Sequence, residues 1–426
     1  MSIHDQIKIM SCLSYRGGHL YIEDVRLEAV AEKYGHPIWI NSRAALKGQY
    51  RRLVEAFGDV LELIAASLKA NGNLHLIEEL TKLGAGADIT HGNELKLALM
   101  AGVDPSRIVF AGVGKTEEQL EAALRSGILM LNVESEDELY DINQVATAMG
   151  KQAPVSIRVN PNVDGYTHEM TTTGLYQNKF GIEADKAFEL ALFADAAPAL
   201  DLIGLQIHIG SPIYDLGQVV HAFLKLEELY AQLLERGVSV KYFDLGGQLP
   251  IDYGDGQYGL SSTPEYLAKQ IVPRLQHLGV KLILEPGRFL FGPAGVLVSR
   301  VIRRKSNPEK DFVIQSASMN DWGRNRYGAY QEIVPLLDTG RKEEFVDVVS
   351  WVCETSDWLA RKRHLPRLNK GDYLALLSAG AYGRSMSMDE YNGGYPTAEV
   401  LVDGEEFRLI RRRETFEEHI IPMLEV

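Results

Sequence analysis

Eight short runs rich in apolar and β-branched residues recur between about residue 60 and residue 290, each followed by a stretch with helical spacing. They are Leu61 to Leu68, Ala87 to Thr90, Ile108 to Ala111, Leu129 to Glu134, Val155 to Asn160, Leu202 to Ile209, Tyr242 to Leu245 and Lys281 to Leu284. Between them, Asn93 to Met100, Glu117 to Arg125 and Ala222 to Glu235 place apolar residues three and four apart, as helices covering a parallel sheet do. Eight alternations favour a closed (β/α)8 TIM-like barrel over an open doubly wound sheet, so the expected class is α/β.

After Arg288 the texture changes. Val296 to Ile302, Phe312 to Ile314, Val348 to Val352, Tyr373 to Leu377 and Thr397 to Val402 read as strands without helical crossovers, the pattern of an antiparallel β domain. The expected division is therefore a barrel over residues 41–290 and a C-terminal β domain over residues 291–426. Residues 1–40, with Leu20-Tyr21-Ile22 and Ile38-Trp39-Ile40, form an N-terminal segment expected to join that β domain. A chain of 426 residues is long enough to need such a split, because single cores stop growing near 250–300 residues.

Charge and composition exclude several classes. A net charge of -14 with no basic run repels nucleic-acid backbones. No run of about 18 apolar residues is present, and Met1-Ser2-Ile3-His4-Asp5-Gln6 lacks the basic region and apolar stretch of a secretory leader, so no membrane association and a cytoplasmic location are expected. Cys12 and Cys353 are the only two cysteines, expected as free thiols, and the eleven histidines show no paired ligand spacing, so no metal site is expected.

Lys69 ends the first run and emerges into Ala70-Asn71-Gly72-Asn73. A lysine leaving a buried strand for a turn of small and amide residues is placed for imine chemistry, because burial penalises the ammonium and leaves more free amine to attack an aldehyde. A lysine that snorkels off a strand end fits the same pattern. The choice turns on its neighbours. Lys69, Asp88, His208, Gly246-Gly247 and Glu285-Pro286-Gly287-Arg288 all fall at or just after the C-terminal ends of expected strands, the face on which barrels keep active sites. Taken singly, each has an ordinary reading: Glu285 caps a turn, His208 is a hydrogen-bonded core histidine, the glycines turn a loop, and Cys353 is a small buried hydrophobe.

Leu68-Lys69-Ala70-Asn71-Gly72-Asn73 resembles the cofactor-lysine motif of the meso-diaminopimelate decarboxylases, pyridoxal-phosphate enzymes of the alanine-racemase fold (fold type III). The resemblance continues in order through Leu83-Gly84-Ala85-Gly86-Ala87-Asp88, Asn132-Val133-Glu134-Ser135, His208-Ile209-Gly210-Ser211, Glu285-Pro286-Gly287-Arg288, Met319-Asn320-Asp321, Cys353-Glu354-Thr355-Ser356-Asp357 and Ala379-Gly380-Ala381-Tyr382-Gly383. It implies decarboxylation of an amino acid, by default meso-diaminopimelate to L-lysine and carbon dioxide, with pyridoxal 5'-phosphate on Lys69. Asp88 is among the implied cofactor contacts, Glu285 is the partner of the ring nitrogen, and His208 stacks on the ring. Backbone NH groups and hydroxyls from Ser211, Gly246, Gly247, Gly287, Arg288 and Tyr382 suit a phosphate. The resemblance further implies a homodimer with shared active sites, in which Cys353 and Glu354 reach the neighbouring subunit's site. There Cys353 would reprotonate Cα and Glu354 would pair with the distal ammonium. Arg288 and Arg324 match the family's carboxylate-binding arginines, with hydroxyls from Tyr330 and Tyr382 beside them.

The chain also departs from the family pattern. Gln248 stands where a third glycine is usual, and because a glutamine tolerates positive φ poorly a reshaped loop is expected there. Gln206 and His91 replace a usual His and Ser, and Gln315-Ser316-Ala317-Ser318 replaces a stretch that usually includes Asp and Gly. Met319 to Tyr327 is one residue short, so Arg326 competes with Arg324 for the distal carboxylate. These departures keep open a specialised-pathway decarboxylase of a related amino acid or conjugate, and a pyridoxal-phosphate-binding protein without turnover. The Cys-Glu-Thr-Ser-Asp run argues against a racemase.

Overall fold

The computed structural model describes residues 2–426, which divide into two compact units: residues 49–251 with 258–289, and residues up to Gly48 with 252–257 and 290–426. In the first unit, eight strands pair in parallel: β1 (Leu61–Ser67), β2 (Gly86–Ile89), β3 (Ile108–Phe110), β4 (Met130–Val133), β5 (Ala153–Asn160), β6 (Leu200–Gln206), β7 (Tyr242–Asp244) and β8 (Lys281–Leu284). Each pairs with the next, and β8 pairs back onto β1 with Leu282 opposite Leu61, so the sheet closes into a barrel. All eight expected runs are strands. The largest displacement is in β6, which stops at Gln206, so His208 lies in the loop beyond the strand instead of ending it. A two-residue strand, Ile182–Glu183, adds unexpectedly to β5.

Alternation along the strands makes the site. Leu63, Ala65, Val109, Met130, Ile203 and Ile283 pack together in the barrel, and two residues on, the same faces carry Ser67, Asn132 and Glu285. Helices cover the outside through apolar stripes: Glu136–Met149 buries Leu139, Ile142, Val145 and Ala146, starts on a Ser135 cap and stops at Gly150 in the left-handed region. Among the described residues no helix is long and apolar enough to cross a membrane.

The second unit is built on one long strand, β9 (Gly295–Ser306), which pairs antiparallel with Asp311–Gln315, Tyr373–Leu376 and Ile38–Ser42. Its two faces feed two cores. Val296 and Val298 pack with Ile38, Ile40, Val400 and Ala375, while Leu297 and Val301 pack with Trp39, Trp322, Leu374 and Leu376. Most pairings are antiparallel, with parallel ones joining Asp311–Gln315 to Glu343–Val349 and Ile38–Ser42 to Ala398–Asp403. A separate three-stranded sheet is formed by Leu13–Arg16, His19–Ile22 and Val25–Arg26. Strands Ile333–Pro335, Trp358–Pro366 and Glu406–Arg411 are additional to those read from the sequence.

Candidate active site

Lys69 sits in the turn after β1, with Nζ 2.7 Å from Asp88 Oδ2 at the end of β2. Parallel pairing explains the meeting, since Ser67 lies opposite Asp88 and also donates to Oδ2, at 2.5 Å. The lysine differs from the strand-end expectation in one respect: its side chain is 40 % exposed and ion-paired, because the turn lifts it out of the strand. Asp88 is 1 % exposed.

Behind this pair lie two more buried carboxyl groups, Asp244 at the end of β7 and Glu285 just past β8. Asn132 Nδ2 donates to Asp244 Oδ2 at 3.2 Å and to Glu285 Oε1 at 3.1 Å, and Gln206 Nε2 donates to the same two oxygens at 3.2 and 2.8 Å. Burial, followed by the neighbouring Asp244 and Asp88 carboxylates, pushes the Glu285 acid well above its usual range. Burial likewise raises Asp244. Two adjacent acids removed from water do not both ionise easily, so this corner retains a proton.

His208 is clasped on its other side. Its Nδ1 is 3.0 Å from Thr173 Oγ1, which donates to the His208 carbonyl at 2.8 Å, and its ring lies against Gly246. A Cβ on Gly246 (φ +64) would come within 2.6 Å of His208 Cδ2, and one on Gly247 within 2.0 Å of the Glu285 carbonyl oxygen. Burial first, then the charges of Arg158 and Lys69, hold the imidazole well below its usual pKa, so it is neutral. Arg288 begins a short helix after β8, is 2 % exposed, and directs Nε toward Ser211 Oγ at 3.4 Å, while Gly287 N lies close to the Gly247 Cβ position. The barrel thus brings together Lys69, Asp88, His208, Ser211, Gly246, Gly247, Glu285, Gly287 and Arg288.

Gln248 does not strain its loop. It has no positive φ, is 3 % exposed, and spends its side-chain amide on backbone. The reshaping expected from a non-glycine residue is therefore replaced by side-chain bonding.

The other expected residues lie in the β unit. The Arg324 guanidinium lies 5.5 Å from the Tyr382 ring centroid, and Tyr382 itself holds a φ of 56°. Tyr330 donates to Glu332 Oε1 at 2.6 Å and lies under Arg363; burial and that bond push its hydroxyl up to about 12. Cys353 is exposed, contrary to a small buried hydrophobe. Glu354 accepts from Tyr391 at 2.6 Å and from Ser356 at 2.7 Å, and these donors, Tyr391 first, hold its acid below the usual range. Asn325 donates to the carbonyls of Ser356 and Trp358 at 2.7 and 2.8 Å, so the shortened Met319 to Tyr327 segment docks on the loop carrying Cys353 and Glu354. This separates the two arginines: Arg324 faces Tyr382, and Arg326 is exposed.

Asp244 and Asn132 join the site without having been expected there. Each was visible as a lone polar residue on an apolar strand, beside a glycine turn for Asp244, but only closure of the barrel puts both against Glu285.

The sequence model of the family described as "Pyridoxal-dependent decarboxylase, pyridoxal binding domain" matches residues 43–292. The chain is 42% identical over 415 residues to the diaminopimelate decarboxylase of Aquifex aeolicus, covering 97% of this chain and 98% of that one. It is also 42% identical over 412 residues to that of Haemophilus influenzae, covering 96% and 98%. Among solved structures, diaminopimelate decarboxylase from Helicobacter pylori in complex with L-lysine superposes with a TM-score of 0.89 at 36% identity, covering 93% of this chain and 99% of that one. The enzyme from M. jannaschii, also with L-lysine, gives 0.89 at 33% identity, covering 97% and 98%.

Proposed function

Since the chain belongs to the diaminopimelate decarboxylases, within the pyridoxal-dependent decarboxylase family, we propose that its barrel mouth holds the cofactor between Lys69 and Glu285. The protein is a carboxy-lyase that uses pyridoxal 5'-phosphate to convert meso-diaminopimelate to L-lysine and carbon dioxide. The observation that carries the residue assignment is the Lys69 Nζ–Asp88 Oδ2 pair at 2.7 Å, set among buried acids at the ends of parallel strands.

The mouth fits such a group on grounds independent of the relatives. Asp88 Oδ1 and Gln206 Oε1 are buried without hydrogen-bond partners among the described residues, and Gly246 and Gly247, lacking a Cβ, let their loop close against the His208 ring and the Glu285 carbonyl. Pyridoxal phosphate, when bound, supplies a conjugated ring that accepts the electron pair left as the Cα–carboxylate bond breaks.

Lys69 Nζ would hold the cofactor, with Asp88 Oδ2 placed to hold the lysine proton. Glu285, its plane fixed by Asn132 and Gln206 donating to Oε1, would face the ring nitrogen and share this corner's proton with it. His208, neutral, would supply an apolar face to the ring. Ser211, Gly246, Gly247, Gly287 and Arg288 would hold the phosphate. For the substrate, Arg288 of the barrel binds a carboxylate, and Arg324, Tyr330 and Tyr382 of the β unit are the further candidates. Cys353 of a second copy returns the proton to Cα, and Glu354 of that copy receives the distal ammonium, so the working form is a homodimer, in the cytoplasm.

The test is a decarboxylation panel on the purified chain with added pyridoxal phosphate. Turnover of meso-diaminopimelate far above lysine, ornithine and arginine is expected. Preference for another amino acid would move the chain to a specialised pathway, and no carbon dioxide from any substrate would leave a cofactor-binding protein.

A further inference from the structure

The loops after β6 and β7 carry the residues assigned to the cofactor's ring face and phosphate, and one side chain joins them. Gln248 Oε1 accepts from Ile209 N–H at 3.1 Å, immediately after His208, and Gln248 Nε2 donates to the Leu245 carbonyl at 2.6 Å, immediately before Gly246. Its own carbonyl accepts from Ile213 N–H at 3.2 Å, on the far side of Ser211. At 3 % exposure, water does not compete for these bonds.

The surroundings make this bracing consequential. Gly246 touches the His208 ring, Gly247 closes on the Glu285 carbonyl, and Ser211 faces Arg288, so these loops and the β8 end form one contact set. Left to their backbones they would be irregular, since Gly210 has a φ of +142 and Gly246 of +64. Glycines restrict a chain little, and their freedom must be removed before a phosphate can bind.

We infer that Gln248 is a positioning residue, whose side-chain amide locks the His208–Ser211 loop to the Gly246–Gly247 loop and so forms the cofactor cradle before cofactor arrives. The inference rests on the functional reading above.

Gln248→Met tests it, because methionine keeps the length and apolar bulk of the side chain but has no amide. In the full chain without cofactor, the Ile209 amide should exchange with solvent about tenfold faster or more, and titration with pyridoxal 5'-phosphate, followed by protein fluorescence, should give a dissociation constant raised about tenfold or more. If methionine prevents folding, Gln248→Leu is read the same way, since it too removes the acceptor for Ile209. Unchanged Ile209 exchange overturns the inference, as does faster exchange with unchanged affinity. If the unsubstituted chain takes up no cofactor, the functional reading fails and the inference with it; uptake equal in variant and parent refutes the inference alone.

Discussion

Three carboxyl groups around one lysine decide what this mouth can do. Lys69 is the residue whose removal is cleanest to read: Lys69→Ala should abolish the absorbance near the visible edge that cofactor acquires on the protein, and persistence of that band would sink the assignment. Glu285 is read through pH. Its acid is raised by burial, so the folded state holds a proton that the unfolded chain releases near 4.5; the stability this contributes is full below that pH and lost as pH rises through the raised value. Cofactor-free protein should therefore lose stability, relative to Glu285→Gln, as pH increases from about 4.5, measured by urea unfolding at several pH values. A difference that stays flat with pH would contradict the raised acid. Gly247→Ala drives a Cβ to within 2.0 Å of a backbone oxygen, and should cost about 1–3 kcal/mol of stability and weaken cofactor binding. At this scale Lys69, His208 and Glu285 were legible because each sits in a family motif at or just after the end of an expected strand. Asp244 and Asn132 were not, because an isolated polar residue on a strand has many explanations until its partner is known.

Strand ends in the barrel are tied by largely buried charges. Lys115, with a fully buried side chain, donates to the Gly112 and Asn132 carbonyls at 2.7 and 2.8 Å and to Glu138 at 2.6 Å, joining the loop after β3 to β4 and the helix that follows. Arg158 on β5 meets Glu134 after β4 at 2.5 Å, and Glu134 also accepts from Gly181 N–H at 3.0 Å. Removing one partner leaves the other charge buried, so Lys115→Met should lower stability by roughly 3–5 kcal/mol, seen as a shifted urea midpoint. An unchanged midpoint would mean water reaches Glu138. The barrel strands were legible as elements because parallel strands buried on both faces read as apolar runs. Trp358–Pro366 was not: it carries Arg361, Lys362 and Arg363, with Lys362 at a φ of 51°, and a charged, bulged strand hides its period.

For the whole molecule, the dimer is the decisive matter. If each site takes Cys353 and Glu354 from a second copy, mixing Lys69→Ala and Cys353→Ala chains should restore activity, because hybrid dimers hold one intact site; about a quarter of all sites are then whole at random pairing. No recovery on mixing would put both residues in the same chain's site or remove Cys353 from it. The eightfold alternation, the change of texture after Arg288 and the lysine motif were written in local sequence, because side-chain period and turn chemistry depend only on neighbours along the chain. What Gln248 does was not. From the sequence it was a glutamine where a glycine is usual, with a strained loop to be expected. The Leu245 carbonyl lies three residues back, but only the folded barrel brings Ile209 N–H within reach of the same side chain, because residues 209 and 248 meet through the pairing of β6 with β7 and not through sequence neighbours.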